Sequence, residues 1–383
     1  MVSRRMVLVA GSGAALLTVA GGTWGLTRTP RLAIQPWTAA SFGFGAPLLD
    51  CLGYAILAPN PHNMQPWRIN VLDDSSFELF INPERLLPHT DPPSRQITIG
   101  MGCFLEVFRI AAAERGYATV WSTDSEGAGA QGIEADQPIA RVEISRDPEV
   151  RPDPLFEHIL QRRTNRSPYD LSRPVDPGLL ETVAQAASPE GGQMGGSVEN
   201  ESVEALRELT SRAWSIEWNN EATRRESIDV TRIGKAEVNA KPWGLSLSGP
   251  MLEALGFAGI LTRETMDDPD HQAFTDSERF YAQACETAMG HLWMVTENNR
   301  RVDQLNAGVA WVRAHLKATE IGLGFHPLSQ ALQEFDAMSV PYREIHDRLA
   351  PQGGVIQMLV RVGYASAPGP APREKLEMKL VSA

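Results

Sequence analysis

Apolar and polar positions from residue 47 onward fall into recognisable periods. Leu48–Leu57 reads as a helix ended by the Pro59–Pro61 stretch. Trp67, Ile69 and Val71 then alternate with Arg68 and Asn70, Asp73-Asp74-Ser75-Ser76 turns the chain, and Phe77–Ile81 returns. That is the pattern of a β-hairpin. After the break Asp91-Pro92-Pro93-Ser94, residues Phe104, Val107, Phe108, Ala111 and Ala112 recur at three and four, predicting a helix over Gly100–Gly116 with one buried face. A Gly-rich loop, Thr123–Gln137, precedes an alternating strand at Pro138–Ser145.

A second unit begins near Asp147, with short helices at Leu155–Gln161 and Asp176–Ala187 and a loop at Ser188–Ser197. Helices are expected at Phe280–Asn299, strongly amphipathic, and at Ala307–Gly322. A strand is expected at Val355–Val362, before a Pro-rich tail at Ala365–Arg373. Residues 211–280 are polar, carry Trp214, Trp218 and Trp243, and show only short helical patches. Long insertions of this kind in compact domains are usually functional or disordered, and the aromatic content argues against disorder, so the segment reads as a lid. Helices dominate around a handful of strands, and the expected class is α+β.

Composition narrows the function. The 383 residues are 43% hydrophobic and 21% charged, enough for a packed core. A net charge of −12 without a basic stripe argues against nucleic acid as partner. Cys51, Cys103 and Cys285 lie far apart, with no spacing that indicates a disulfide framework or a metal site.

Residues 1–30 differ from the rest: they hold Arg4, Arg5 and Arg28, no acid, and an uncharged run from Met6 to Thr27. Arg4-Arg5 before that run resembles a twin-arginine export signal, which predicts a periplasmic location or the outer face of the membrane. Without a working signal the protein would be cytoplasmic. The run is also long enough for a retained membrane anchor. A dinucleotide-binding turn at Val7–Gly13 is disfavoured because Leu16 stands where the third glycine is needed.

Two segments carry candidate chemistry. Residues 58–69 place Asn60, His62, Asn63 and Gln65 on an irregular stretch fixed by Pro59, Pro61 and Pro66. Rigid amides can present donors and acceptors to a planar heteroaromatic edge, or this is an ordinary helix-to-strand connection with His62 facing solvent. Residues 161–170 bring Arg162, Arg163 and Arg166 beside Thr164, a donor set suited to phosphate or a solvated charge run.

Together, Asn63–Trp67 (N-x-Q-P-W) and Arg162–Arg166 (R-R-T-N-R) resemble the nitroreductase family of FMN flavoproteins. The motif order, reversed within one chain, resembles the Acg subgroup, in which two nitroreductase-like halves are fused and one chain imitates a dimer. Residues 91–102, 322–332 and 356–364 add to the resemblance, which covers roughly residues 45–375. It implies a nitroreductase-like fold of two halves, 31–150 and 151–383, with central antiparallel sheets flanked by helices and an insertion at about 211–280. It implies FMN as cofactor, NAD(P)H as donor, a nitroaromatic or quinone acceptor, and a monomer. Arg162 and Thr164 match the phosphate-binding positions and Arg166 the cation beside flavin N1 and O2. Pro59, Asn60, Pro61, Asn63 and Gln65 match the ring-contacting turn. Pro327, Leu328, Ser329 and Gln330 match the loop facing N5, and Arg373 matches a C-terminal phosphate contact. No side-chain acid, nucleophile or metal is required. A non-catalytic FMN-sequestering protein, its flavin under the lid, is the alternative, and a structural envelope protein would leave Arg162–Arg166 without purpose.

Overall fold

The computed structural model describes residues 28–123, 136–187 and 191–381. The signal, most of the Gly-rich loop at 123–137 and the start of the 188–197 loop lie outside the described residues. Helices α1 (Arg31–Phe42) and α2 (Pro47–Ala55) lead into strands β1 (Trp67–Asp73) and β2 (Ser76–Ile81), then into the long helix α3 (Arg95–Glu114). Strands β3 (Tyr117–Ser122) and β4 (Ala140–Arg146) complete an antiparallel sheet in the order β1-β2-β4-β3. After α4 (Pro177–Gln185) and β5 (Gln193–Ser197) comes a helical layer. It comprises α5 (Asn200–Asn219), α6 (Glu221–Asp229), β6 (Thr231–Ile233), α7 (Gly234–Ala240), β7 (Leu245–Leu247), α8 (Pro250–Phe257), α9 (Arg263–Asp267) and α10 (Gln272–Glu286). Then β8 (Gly290–Thr296), α11 (Arg301–Glu320), β9 (Gly324–Pro327), α12 (Ser339–Leu349) and β10 (Val355–Gly363) build a second antiparallel sheet, β5-β8-β10-β9. The class is α+β.

The two halves meet where α3 crosses α11. A Cβ on Gly102 would lie 2.0 Å from the Leu305 carbonyl oxygen, and one on Gly308 2.0 Å from that of Ile99. Only hydrogen fits at either position. Helix α3 starts at Arg95, earlier than expected, because the Asp91 carboxylate accepts the amides of Gln96 (3.2 Å) and Ile97 (3.0 Å). It is buried on nearly every side rather than on one face, with Arg109 and Glu114 the exceptions. Among the described residues it is the one helix long and apolar enough to cross a membrane, and it is a core helix.

Three expectations are corrected. Helix α10 ends at Glu286, and residues 290–296 form the strand β8 rather than the end of a helix. Lying between β5 and β10 and buried on both faces, β8 shows no alternation to distinguish it from a helix. Residues 211–280 are a packed helical layer, not an irregular segment. The layer begins at Asn200, so its first helical period (Val203, Leu206, Thr210, Ala213, Trp214) straddles position 211 and is cut in two there. Trp214 and Trp218 are its core: Trp214 stacks on Tyr281 at 4.4 Å, and Trp218 meets Phe274 at 5.5 Å. Finally, the chain end returns to the first half. The Ile69 amide donates to the Lys379 carbonyl and the Val381 amide to that of Ile69, both at 2.8 Å, which pairs the open edge of β1 in parallel. The tail therefore crosses the 31–150/151–383 division.

Candidate functional site

The turn between α2 and β1 is the most strained backbone among the described residues. His62, Asn63 and Gln65 have φ of 47°, 55° and 51°. Left-handed backbone is uncommon outside glycine, costs of order 1–3 kcal/mol per residue, and persists where its surroundings over-determine it. Here the surroundings are hydrogen bonds. Asn60 Oδ1 accepts the Gln65 amide at 2.7 Å. Gln65, fully buried, donates Nε2–H to the Pro242 carbonyl at 2.7 Å and accepts the Glu374 amide at 2.9 Å. Asn63 Nδ2 donates to the Pro372 carbonyl at 3.1 Å, and its Oδ1 accepts from Arg373. Asn60 Nδ2 donates to the Ala58 carbonyl at 3.1 Å, so all three amides bond to protein. They hold the turn in shape.

The turn's carbonyls face the arginines. Arg162 and Arg373, both buried, donate Nη2–H to the same Leu57 carbonyl, each at 3.1 Å, and Arg373 Nη2 also reaches the Ala58 carbonyl at 3.1 Å. Arg163 donates to the carbonyls of Leu160 (2.9 Å) and Arg162 (2.7 Å) and lies over the Trp37 ring. Among the described residues, no carboxylate pairs with Arg162, Arg163, Arg166 or Arg373. Burial, followed by the neighbouring Arg163, pushes the Arg162 guanidinium down to about 10. Burial and the charges of Arg162 and Arg163 also push Arg373 well below its ordinary value, and its buried Nε has no acceptor. Clustered, desolvated cations without a counter-charge are costly. An anion with several acceptor oxygens would relieve that cost, so this donor set fits a phosphate.

Arg166 differs. Its surface is accessible, yet enough protein surrounds it for burial to lower its pKa, the setting of a side chain that lines a concavity. No described residue bonds to it. Its charge acts on His62 from the strained turn, on Tyr281 from α10 and on His326 from β9. His62 does not simply face solvent: it is half-buried, its Nε2 is 3.1 Å from Ser227 Oγ, and burial followed by Arg166 lowers it to about 4. Thr164 is half-buried and its hydroxyl has no partner among the described residues.

The 327–330 loop borders the same space. Tyr281 packs edge-on to His326 at 5.4 Å and donates its hydroxyl to Gln330 Oε1 at 3.1 Å. The Leu328 amide is spent on the Leu359 carbonyl, whereas the Ser329 amide has no acceptor among the described residues. Pro327 is half-buried beside them, and Pro59 and Pro61 bound the strained turn. The predicted segments 59–65, 162–166, 327–330 and Arg373 thus share one neighbourhood. Sequence reasoning missed Tyr281, His326 and Glu217. Glu217 is buried in α5, accepts Gln333 Nε2–H at 2.8 Å, and burial pushes its carboxyl up to about 7. Nothing in the local sequence marks Glu217 and Tyr281, which the helical layer brings in, whereas His326 lies on β9 one residue before the predicted 327–330 loop.

No family profile matches the chain. It is 28% identical over 333 residues, 85% of this chain and 88% of the relative, to a Mycobacterium tuberculosis protein named "Putative NAD(P)H nitroreductase". Over 62 residues, 16% of this chain and 18% of the relative, it is 40% identical to the M. tuberculosis "Putative NAD(P)H nitroreductase acg". Among solved structures it resembles the FMN-dependent nitroreductase NfnB of Mycobacterium smegmatis in complex with NADPH. That likeness has 16% identity and a TM-score of 0.35 over 58% of this chain and 94% of the other. The named relatives support a place for this chain among nitroreductase-like proteins.

Proposed function

We propose that the chain binds one FMN between its two halves and is an NAD(P)H-dependent flavin oxidoreductase. The observation that carries this is the set of four arginines without a carboxylate, gathered around a turn of three left-handed non-glycine residues. In this reading Arg162, Arg373 and Thr164 hold the phosphate, Arg166 stabilises negative charge at the pyrimidine edge, and the Ser329 amide orients the reacting edge of the ring. Bound FMN would supply hydride transfer between NAD(P)H and a small acceptor of the nitroaromatic or quinone class. Arg166 suits its role because a guanidinium stays protonated at any working pH. Both sides of the site come from one chain, so the protein works as a monomer. If residues 1–30 act as a twin-arginine signal, it is exported already folded.

A second reading, a protein that only holds FMN, is favoured by how the helical layer is fastened over the turn. The Gly244 amide donates to the Asn63 carbonyl at 3.0 Å, Gln65 reaches Pro242, and His62 meets Ser227. Glu226 accepts the amides of His89 (2.9 Å) and Thr90 (2.8 Å). A layer tied down at so many points acts as a fixed cover rather than a gate. The visible spectrum of the purified protein, before and after NADPH, tests both readings. Flavin absorbance that bleaches on addition supports the enzyme, absorbance that persists supports the holder, and protein that neither contains nor binds FMN sinks both.

A further inference from the structure

Behind the Tyr281 hydroxyl lies a hydrogen-bonded chain for which the flavin chemistry has no use. Tyr281 cannot swing, because its ring is stacked on Trp214 at 4.4 Å and meets His326 edge-on at 5.4 Å. Its hydroxyl donates to Gln330 Oε1 at 3.1 Å. The Gln330 amide acts as a donor on the Glu217 carboxyl, whose Oε2 also accepts Gln333 Nε2–H at 2.8 Å. Glu217, Gln330 and Gln333 are all buried. No base neutralises Glu217 among the described residues. Arg224 on α6 is taken by Asp267 at 2.8 Å, and Arg212 on α5 pairs outward with Glu344 on α12. Glu226 on α6 adds a second negative charge, and Glu278 on α10 is turned to Ser215 at 2.8 Å. Burial without a cation favours the neutral acid, so Glu217 changes state at about pH 7.

The two states act on Tyr281 in opposite ways, because a carboxylate only accepts whereas a carboxylic acid also donates. Beside the carboxylate, Gln330 must turn Nε2 to Glu217 and Oε1 to Tyr281. The Tyr281 proton is then committed, and its oxygen offers only lone pairs to the concavity it shares with Arg166. Beside the acid, whose Oε2 still accepts Gln333, the Gln330 amide can turn over. It then accepts the Glu217 proton at Oε1 and donates Nε2–H to Tyr281, which frees the phenol proton. We propose that Glu217, acting through Gln330, sets Tyr281 as donor or acceptor, so that the site takes quinone or nitroaromatic oxygens when Glu217 is protonated and phenolic ligands when it is ionised. Tyr281 is the specificity-determining residue, and Gln330 and Glu217 are positioning residues. The choice of ligand rests on the flavin-enzyme reading above, whereas the coupling of Glu217 to Tyr281 does not. The other titratable groups near the concavity stay in one state around neutrality. Burial and Arg166 hold His62 at about 4, burial with Arg361 and Arg166 keeps His326 well below its ordinary value, and burial pushes Cys285 up to about 11.

Two measurements test the proposal. The first uses flavin-free protein whose tyrosines carry carbon-13 at Cζ, with the Tyr281 resonance identified by its loss in Tyr281→Phe. That resonance should shift with a midpoint at about pH 7 and stay flat in both Glu217→Gln and Gln330→Met. The second uses FMN-loaded protein and reads the affinities of nitrobenzene and p-cresol from flavin absorbance, at about pH 5.5 and about pH 8.5. Nitrobenzene should bind about three- to tenfold tighter at the lower pH and p-cresol at the higher by a similar factor, and Tyr281→Phe should remove both dependences. A Tyr281 resonance that does not titrate, or that titrates unchanged in both variants, overturns the coupling. A titrating resonance with ligand affinities that ignore pH or move together overturns the choice of ligand. Protein that takes up no FMN while Tyr281 titrates contradicts the flavin reading, and the choice of ligand with it, but upholds the coupling.

Discussion

The halves of this protein meet in two places, and the two are built in opposite ways. At the α3–α11 crossing the backbones touch with no room for a Cβ at Gly102 or Gly308, and the buried Arg95 at the start of α3 is well supplied. It donates to Glu334 (2.9 Å) and to the carbonyls of Gln357 (2.8 Å) and Leu332 (2.5 Å). At the second meeting place Arg162 and Arg373, also buried, share the Leu57 carbonyl; Arg373 donates as well to the carbonyls of Ala58 and Pro372 and to Asn63, but no carboxylate answers either charge among the described residues. Buried arginine is thus used in two senses. Where a carboxylate neutralises it, it is a fastener; where none does, the proposed function makes it a receptor for an anion.

The comparison breaks most visibly at the crossing. Gly102→Val forces a methyl-bearing carbon into the Leu305 carbonyl and should cost about 3 kcal/mol or more, or prevent folding. A melting curve near that of the wild type would mean that the helices cross elsewhere. Arg95→Met leaves two buried carbonyls without a donor and should lower stability by about 3 kcal/mol in denaturant titrations. Arg162→Met should behave differently. Leu57 keeps Arg373 as donor, and an uncompensated charge is removed, so Tm without cofactor should hold or rise. FMN affinity should fall by about 1.5–3 kcal/mol, tenfold to over a hundredfold. A Tm loss equal to that of Arg95→Met would erase the distinction between fastener and receptor.

A pH effect concerns Glu217. Its folded pKa of about 7 stands above the ordinary 4.5 because burial disfavours the carboxylate. The folded state then holds a proton that the unfolded state has released, so stability falls as pH rises from about 4.5 through about 7. Glu217→Gln should flatten that part of the Tm profile. An unchanged slope would show that another group carries it.

Much of the site was legible because its chemistry is local. Three arginines in five residues and three prolines in eight are visible without a structure, and both segments lie where the motif spacing put them. The use of the amides was not legible: Gln65 becomes a strut only through Pro242 and Glu374, which lie about 180 and 310 positions away. Burial on both faces hid β8, and a window opened at 211 cut α5 in two. The return of Val381 to β1 depends on edge pairing, which leaves no periodicity in a three-residue contact.

The most direct test of the account compares FMN with riboflavin, which has the same ring and no phosphate, by calorimetric titration of the flavin-free protein. If the unpaired arginines are the phosphate receptor, FMN should bind at least tenfold tighter than riboflavin, and Arg162→Met should narrow that gap while leaving riboflavin affinity unchanged. Equal affinity for the two flavins, or a gap that survives Arg162→Met, would contradict it.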